Sequence, residues 1–389
     1  MIKILKIKNF KLLKDNEFQL SNLNVFTGVN GMGKSTLIQT LLLLRQSFLE
    51  KTLQEKGLLL KGEAVNIGTG KDALSIDADE INNPIYFGFE DENNQKNDFY
   101  FDYLREEDKR LGTKLELTRR ANTLRNNPLT KTEKDFFEAS LFLYDDSFHY
   151  LNAERIAPQE FNDADSNKIE RKELGKYGQF ALHYLDTYKN EKIKNKDVLH
   201  PDTQPQEDYL LQQVSYWLEY ITPNVKINTY YIPEINKVRG TFQIGDSAEF
   251  KPTNVGFGLT YILPVIIALL TVKENGIVII ENPESHLHPA GQSKMAELIA
   301  KCAASGRQIF IETHSDHIIN GLRVAVAKKV IAKEQTKIFF FEKEINENFS
   351  VVKSIEMDND GFILNWEKDF FDQNNLDIKT LFKLKSEKK

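Results

Sequence analysis

The sequence predicts an α/β protein built on a parallel sheet with helices on both faces. Three observations carry that expectation. Beyond residue 255, helical runs (Leu259 to Val272, Ala290 to Ala304) alternate with short apolar ones (Ile277 to Ile280, Gln308 to Thr313). Strands this short and this continuously apolar are buried on both faces, as in parallel sheets. The run GVNGMGKST, Gly28 to Thr36, fits the phosphate-loop spacing G-x-x-x-x-G-K-[ST] at every fixed position. It stands between a predicted strand, Leu23 to Gly28, and a Leu-rich predicted helix, Thr36 to Leu49, which is the context the motif requires. Finally, the strand Ile277 to Ile280 runs into an acid, Glu281, at the edge where open α/β sheets bind ligands.

The remaining elements follow in order. Residues 1–30 read as strand, turn, strand, with Ile2, Ile4, Ile7 and Phe10 on the apolar side of the first. Residues 60–150 carry short β-like pieces, Pro84 to Glu90 and Asp98 to Leu104, between Asn- and Asp-rich turns. They predict an antiparallel subdomain with charged helical material near Arg105 to Lys134. Residues 165–225 are helix-prone with a loop at His200 to Gln206, and Thr229 to Gly245 reads as a β-hairpin. The tail KLKSEKK reads as frayed. No repeat or sustained heptad pattern is present.

Composition narrows the classes. The chain has 389 residues, enough for two or three units at about 150 residues each, and so needs no covalent staples. Its single cysteine, Cys302, excludes a disulfide framework and a CxxC site. Fifty-one Lys+Arg against 57 Asp+Glu give a net charge of −6, which argues against a dedicated nucleic-acid coat protein. The N-terminus, MIKILKIKNF, reads as a strand rather than a signal peptide. The most apolar stretch, Leu259 to Val272, contains Pro264 and falls short of the roughly 20 residues needed to span a bilayer. A cytoplasmic protein without a membrane partner is expected.

The motifs point to nucleotide chemistry. Glycines let the loop curl so that its N–H groups converge on phosphate oxygens at a helix N-terminus. Asn30, Gly31, Gly33, Lys34, Ser35 and Thr36 are therefore the expected ATP-binding residues. Lys34 would reach the β- and γ-phosphates, and the Ser35 hydroxyl would ligate Mg²⁺. Glu281 would hold the Mg²⁺ shell near Ser35. Glu284 could orient or deprotonate the attacking water. His314, at the end of the next strand, could bond the γ-phosphate or position water. His286 and His288 read as a turn before Pro289 rather than a metal site. Lys34 and Glu281 are 247 residues apart, so something large is inserted between the halves of the nucleotide fold.

The order of GVNGMGKST, NVGFGLTY (Asn254 to Tyr261), ENPESHLHP and ETHSD resembles the ABC-type ATPase head shared by SMC, RecF and OLD-family proteins. The chain is closer still to bacterial AAA-family P-loop ATPases that end in a short domain of unknown function, and it is similar to PtuA-like anti-phage defence ATPases. YLNAERIAP, GKYGQFALHYL and GFILNWEKDFFDQ extend the resemblance over nearly the whole chain.

The resemblance implies an ABC-type head with a split nucleotide fold, an antiparallel β subdomain and a helical insertion, without coiled-coil arms. The expected parts are 1–60 and 251–340 for the two halves of the head, 61–160 for the β-rich subdomain, 161–250 for the helical insertion plus hairpin, and 341–389 for a small C-terminal domain. It also implies an ATP-dependent homodimer or higher oligomer, in which Asn254, Gly256 and Gly258 form a signature loop acting on the neighbour's ATP.

Two departures from the family pattern bear on the chemistry. The usual Asp-Glu-Pro-Glu is Glu281-Asn282-Pro283-Glu284 here, so Asn282 stands at the usual catalytic-Glu position. Either Glu284 takes over or hydrolysis is slow, because an amide cannot accept a proton from water. The signature loop has Asn254 in place of the familiar Ser. No nuclease cluster is recognisable, so the expected partner is a separate nuclease or toxin effector. The alternative is a RecF/SMC-like repair ATPase that binds DNA directly. Lys189, Lys192, Lys194 and Lys196, and Arg105, Lys109, Arg110, Arg119, Arg120 and Arg125, are basic clusters that read first as solvated, salt-bridged faces. Arg155 and Arg239 sit less ordinarily, among β-like residues.

Overall fold

The computed structural model describes residues 1–55, 57–76, 84–102, 123–126, 148–343 and 348–386. Its strands are β1 (Ile2–Phe10), β2 (Leu13–Gln19), β3 (Leu23–Gly28), β4 (Leu58–Leu59), β5 (Ile85–Asp91), β6 (Lys96–Asp102), β7 (Thr123–Asn126), β8 (Phe148–Leu151), β9 (Asn162–Asp163), β10 (Val225–Ile232), β11 (Lys237–Ile244), β12 (Glu249–Phe250), β13 (Ile277–Glu281), β14 (Gln308–Glu312), β15 (Thr336–Lys343) and β16 (Ser350–Ile355). Its longer helices are α1 (Lys34–Leu49), α2 (Ala181–Tyr188), α3 (Leu210–Ile221), α4 (Phe257–Thr271), α5 (Pro289–Ala304), α6 (Asp316–Ala327) and α7 (Gln373–Ser386).

One sheet, in the order β16-β15-β3-β14-β13-β8, joins the two ends of the chain. All its pairings are parallel except that of β16 with β15. Successive residues on these strands enter different cores. Leu23, Val25, Val278, Ile280, Ile309, Ile311, Ile338 and Phe340 face the helices α2 to α6. Phe26, Ile277, Ile279, Phe310, Phe339 and Phe341 face α1 and the antiparallel sheet. Burial on both faces is why these strands are apolar without alternation. Phe26, Phe310 and Phe339 stack at 5.7 to 6.2 Å between ring centres on the second face.

The antiparallel sheet runs β2-β1-β5-β6-β7-β4. Here two expectations change. The segment after β1 is itself a strand, β2, paired with β1 from Ile4 to Phe10. The buried residues of β1 are Ile2, Leu5, Ile7 and Phe10 rather than a set containing Ile4. A register irregularity between Ile2 and Ile4 inserts one residue and switches the inward face. A third, small sheet holds β10, β11, β12 and β9, with β10 and β11 forming the expected hairpin.

The tail read as frayed is instead helical as far as Ser386. The charged segment expected near Arg105 to Lys134, with Arg105, Lys109, Arg110, Arg119 and Arg120, lies outside the described residues, as does the side chain of Arg125. Residues 148–151, expected within the antiparallel unit, form the edge of the parallel sheet, and β15 spans the boundary expected near 340. Of the other basic cluster, Lys189 pairs with Asp186, and Lys192 and Lys196 with Asp208.

The β3–β15 contact leaves no room at the start of the phosphate loop. Gly28 has φ +136°, and a Cβ there would stand 2.0 Å from the Phe341 carbonyl oxygen. Gly31 also has positive φ, +75°, but a Cβ there meets nothing within 4 Å. Gly28→Ala should therefore cost roughly 3 kcal/mol or more through strain and backbone displacement. Gly31→Ala should cost about 1–2 kcal/mol, the left-handed penalty alone. Denaturant unfolding of the two variants measures the difference.

Candidate functional site

The site begins where β3 turns into α1. Gly33, with φ 87°, is the residue before the helix, and the Thr36 N–H returns to the Gly33 carbonyl at 3.0 Å. Lys34 is buried, and its ammonium donates to the carbonyls of Gly28 (3.0 Å) and Val29 (2.9 Å). It thus arches over its own loop, where phosphates bound by the loop would meet it. Burial lowers its pKa, opposed by the charge of Glu312. Asn30 and Gly31 are exposed, and Thr36 is buried in the first turn.

Parallel pairing sets the rest. β14 lies between β3 and β13, and Glu312 is directly opposite Glu281 in the register. The Ser35 hydroxyl donates to Glu312 Oε2 at 2.8 Å. Sequence reasoning singled out Glu281 and missed Glu312. The available signal was its place as the last strand residue before Thr313 and His314, the same edge position that drew attention to Glu281. Burial, and then the neighbouring Glu281 carboxylate, push the Glu312 pKa up to about 7, against the Ser35 hydrogen bond and Lys34.

Glu281 accepts a hydrogen bond from the Tyr150 hydroxyl at 2.9 Å, and burial raises its pKa. The buried Arg155 donates to the carbonyls of Glu281 (2.6 Å) and Asn282 (3.1 Å). Tyr150, at the end of β8, and Arg155 just beyond it therefore fix the acidic strand end from the far side. Their contribution is tertiary, so no local pattern announces it.

Asn282 takes a left-handed conformation, φ 47°, and its N–H donates to the Glu312 carbonyl at 2.8 Å. That turn carries Glu284 back to His314, whose N–H donates to Glu284 Oε1 at 2.9 Å. Glu284 Oε2 and Asn282 Oδ1 are buried without a partner. Burial raises the Glu284 pKa, opposed by hydrogen bonds from the His314 N–H and the Thr313 side chain, so this carboxylate is more basic than an exposed one. The His314 side chain is exposed beside this pair. His288 caps α5 through Nδ1, and His286, at φ 62°, packs 4.6 Å from Tyr261. Among the described residues no group of His, Cys, Asp and Glu is arranged to hold a metal by itself. The oxygens of Ser35, Glu312 and Glu281 are hard donors that fit Mg²⁺ completed by phosphate oxygens.

Asn254, Gly256 and Gly258 form the entry to α4. Asn254 and Gly256 are exposed, and a Cβ on Gly256 would meet nothing within 4 Å. Gly258 is different, because a Cβ there would stand 2.6 Å from the His286 carbonyl oxygen. Another contact missed from sequence comes from the C-terminal region. Ser350, at the start of β16, donates through Oγ to the Met32 carbonyl of the phosphate loop at 2.6 Å, and its N–H donates to Leu12 at 2.8 Å.

A phosphate loop on a strand separated from the acid-ending strand by one intervening strand is the arrangement of a P-loop ATPase. Residues 23–320 match the family described as "AAA domain, putative AbiEii toxin, Type IV TA system", and the chain belongs to that family. Residues 331–381 match a second family, described as a protein of unknown function (DUF3696). No curated protein matches the sequence. Among solved structures, the chain is similar to an SMC head bound to the C-winged helix domain of ScpA, with 12% identity, 92% of this chain and 98% of that chain covered, and TM-score 0.46. It is also similar to the SMC head domain from Thermotoga maritima (12% identity, 92% and 99% covered, TM-score 0.45). A third is an SMC head with an extended coiled coil bound to the C-terminal domain of ScpA, from Pyrococcus furiosus (14% identity, 91% and 96% covered, TM-score 0.43). Among the described residues no helix is long and apolar enough to cross a membrane.

The raised Glu312 has a measurable consequence without nucleotide. Its folded pKa of about 7 lies above the ordinary 4.5. The stability it contributes is fully present below about pH 4.5 and is lost as pH rises to about 7, by up to roughly 3 kcal/mol. Glu312→Gln should flatten this part of the Tm–pH profile between pH 5 and 7.5, as scanning calorimetry would record.

Proposed function

We propose that the protein hydrolyses ATP at this site, closes head-to-head around ATP, and uses that cycle to control a separate effector, a nuclease or toxin, in anti-phage defence. The observation that carries the reading is the convergence of Lys34, Ser35, Glu312, Glu281 and Glu284 at one edge of one sheet. Lys34 and the loop N–H groups bind the β- and γ-phosphates. Ser35 and Glu281 hold Mg²⁺, with Glu312 beside them. Bound there, Mg²⁺ would offset the charge of the phosphates and the crowded acids.

Glu284 takes the proton of the attacking water, and the His314 backbone orients it. Asn282 supports the turn rather than the proton transfer, since an amide has no proton affinity to offer. The exposed Asn254, Gly256 and Phe257 supply the surface for the second protomer. Helix-start N–H groups presented in this way suit a γ-phosphate across an interface. The defence role draws on the family description, which names a toxin–antitoxin system.

Three sets of variants test this. Lys34→Ala should weaken ATP binding by about a hundredfold or more, read by calorimetric titration. Glu284→Gln should leave ATP affinity intact and lower kcat by about 10²–10⁴; hydrolysis at the wild-type rate would remove Glu284 from the role of base. Gly256→Glu should bind ATP and fail to turn over. Mixed equally with Lys34→Ala, it should recover about a quarter of wild-type activity if each site is shared between protomers, whereas no recovery argues against the shared site. For the effector, any nuclease activity co-purifying from the native host should lose its ATP dependence in the Lys34→Ala strain.

A further inference from the structure

A second polar pocket lies at the opposite end of the same strands. It is a cavity of about 410 Å³ between the helical insertion and the core. Its floor comes from residues that precede the parallel strands: Lys273 and Glu274 before β13, Arg307 immediately before β14, and His149 near the start of β8. Arg307 to Glu312 is five residues of strand, about 16 Å at 3.3 Å per residue, so this pocket is separate from the phosphate loop. Its walls come from Lys172, Tyr184, Tyr188 and the segment 191–195 of the insertion.

The lining carries five Lys or Arg side chains against two Glu, with Lys192 already paired to Asp208, on a chain whose net charge is −6. Arg307 is only 8% exposed, and its Nε is buried with no hydrogen-bond partner. The guanidinium also donates through Nη1 to the Ser305 carbonyl, and as a lining group it offers an anion a fixed positive charge. Lys172 lies over the Tyr188 ring, with Nζ 3.1 Å from the ring centre, and its ion pair with Glu191 is stretched to 3.9 Å. Lys194, the member of the Lys189–Lys196 cluster that lines the cavity, is exposed at its mouth. Tyr188 is half-buried and adds aromatic surface, with the buried Tyr184 packed edge-to-face behind it at 4.8 Å. The volume falls within the range of small-ligand sites.

We propose that this pocket binds a small phosphorylated ligand bearing a planar ring, of nucleoside-monophosphate size, independently of the phosphate loop. The phosphoryl group lies toward Arg307 and Lys194, and the ring lies along the half-buried Tyr188.

The test uses the full-length Lys34→Ala protein, which disables the phosphate loop, titrated calorimetrically with AMP, inorganic phosphate and adenosine. AMP should bind at least tenfold more tightly than phosphate or adenosine. Adding Lys172→Gln and Lys194→Gln, both away from the buried core, should weaken AMP at least tenfold. The same two substitutions in the otherwise wild-type chain should leave ATP hydrolysis unchanged, which also shows that the variant folds. AMP binding that is absent from the Lys34→Ala protein, or indifferent to the two lysine substitutions, overturns the proposal.

Discussion

The parallel pairing of β3, β14 and β13 is the constraint on which the rest of the molecule depends. Because β14 lies between the other two, its last residue, Glu312, faces both the Ser35 hydroxyl at the start of α1 and the Glu281 carboxylate across one register step. Three acids and one ammonium are thereby drawn into a space shielded by two apolar cores. Packing two carboxylates side by side out of water raises the energy of the ionised state, and the raised pKa of Glu312 expresses that energy. Ordinary folding does not require this concentration of charge, and it is what an ion-dependent nucleotide site needs.

The surroundings of the acids are arranged to hold them against their repulsion. Tyr150 and Arg155 follow β8, the far-edge strand, and reach across to Glu281 and to the carbonyls of the turn. Arg155 is nearly fully buried, and burial lowers its pKa to about 10. It remains charged at neutral pH and supplies a fixed positive potential behind the acidic edge. The left-handed Asn282 then turns the chain so that Glu284 meets the backbone of His314. Each of these groups works through geometry that a rigid sheet edge provides.

The C-terminal region is part of the same construction. β15 pairs with β3 along its length, and its Phe341 carbonyl closes the space that a side chain at Gly28 would need. Ser350 fastens the loop carbonyl of Met32. The segment matching a family of unknown function is therefore joined physically to the phosphate loop. At the other end of the strands the helical insertion folds over β8, β13 and β14, and the basic pocket is the space it leaves.

What the sequence by itself determined was local. The phosphate loop, the helices and strands from 257 to 312, the hairpin and the acid at Glu281 were legible because each is encoded by residues a few positions apart, in spacing or in continuous apolar runs. On β1, Ile2, Ile7 and Phe10 were legible as inward, but Leu5 in place of Ile4 was not, since the residue inserted between Ile2 and Ile4 is revealed only by the partner strand. Glu312, Tyr150, Arg155 and Ser350 were not legible as site residues either. Glu312 meets Ser35 across 277 positions and Ser350 meets Met32 across 318. Contacts at such separations are decided by strand order, which depends on how whole faces of the sheet bury their side chains. The chemistry that could act on a nucleotide was written in short motifs, and the tertiary structure decided which acid stands beside which cation.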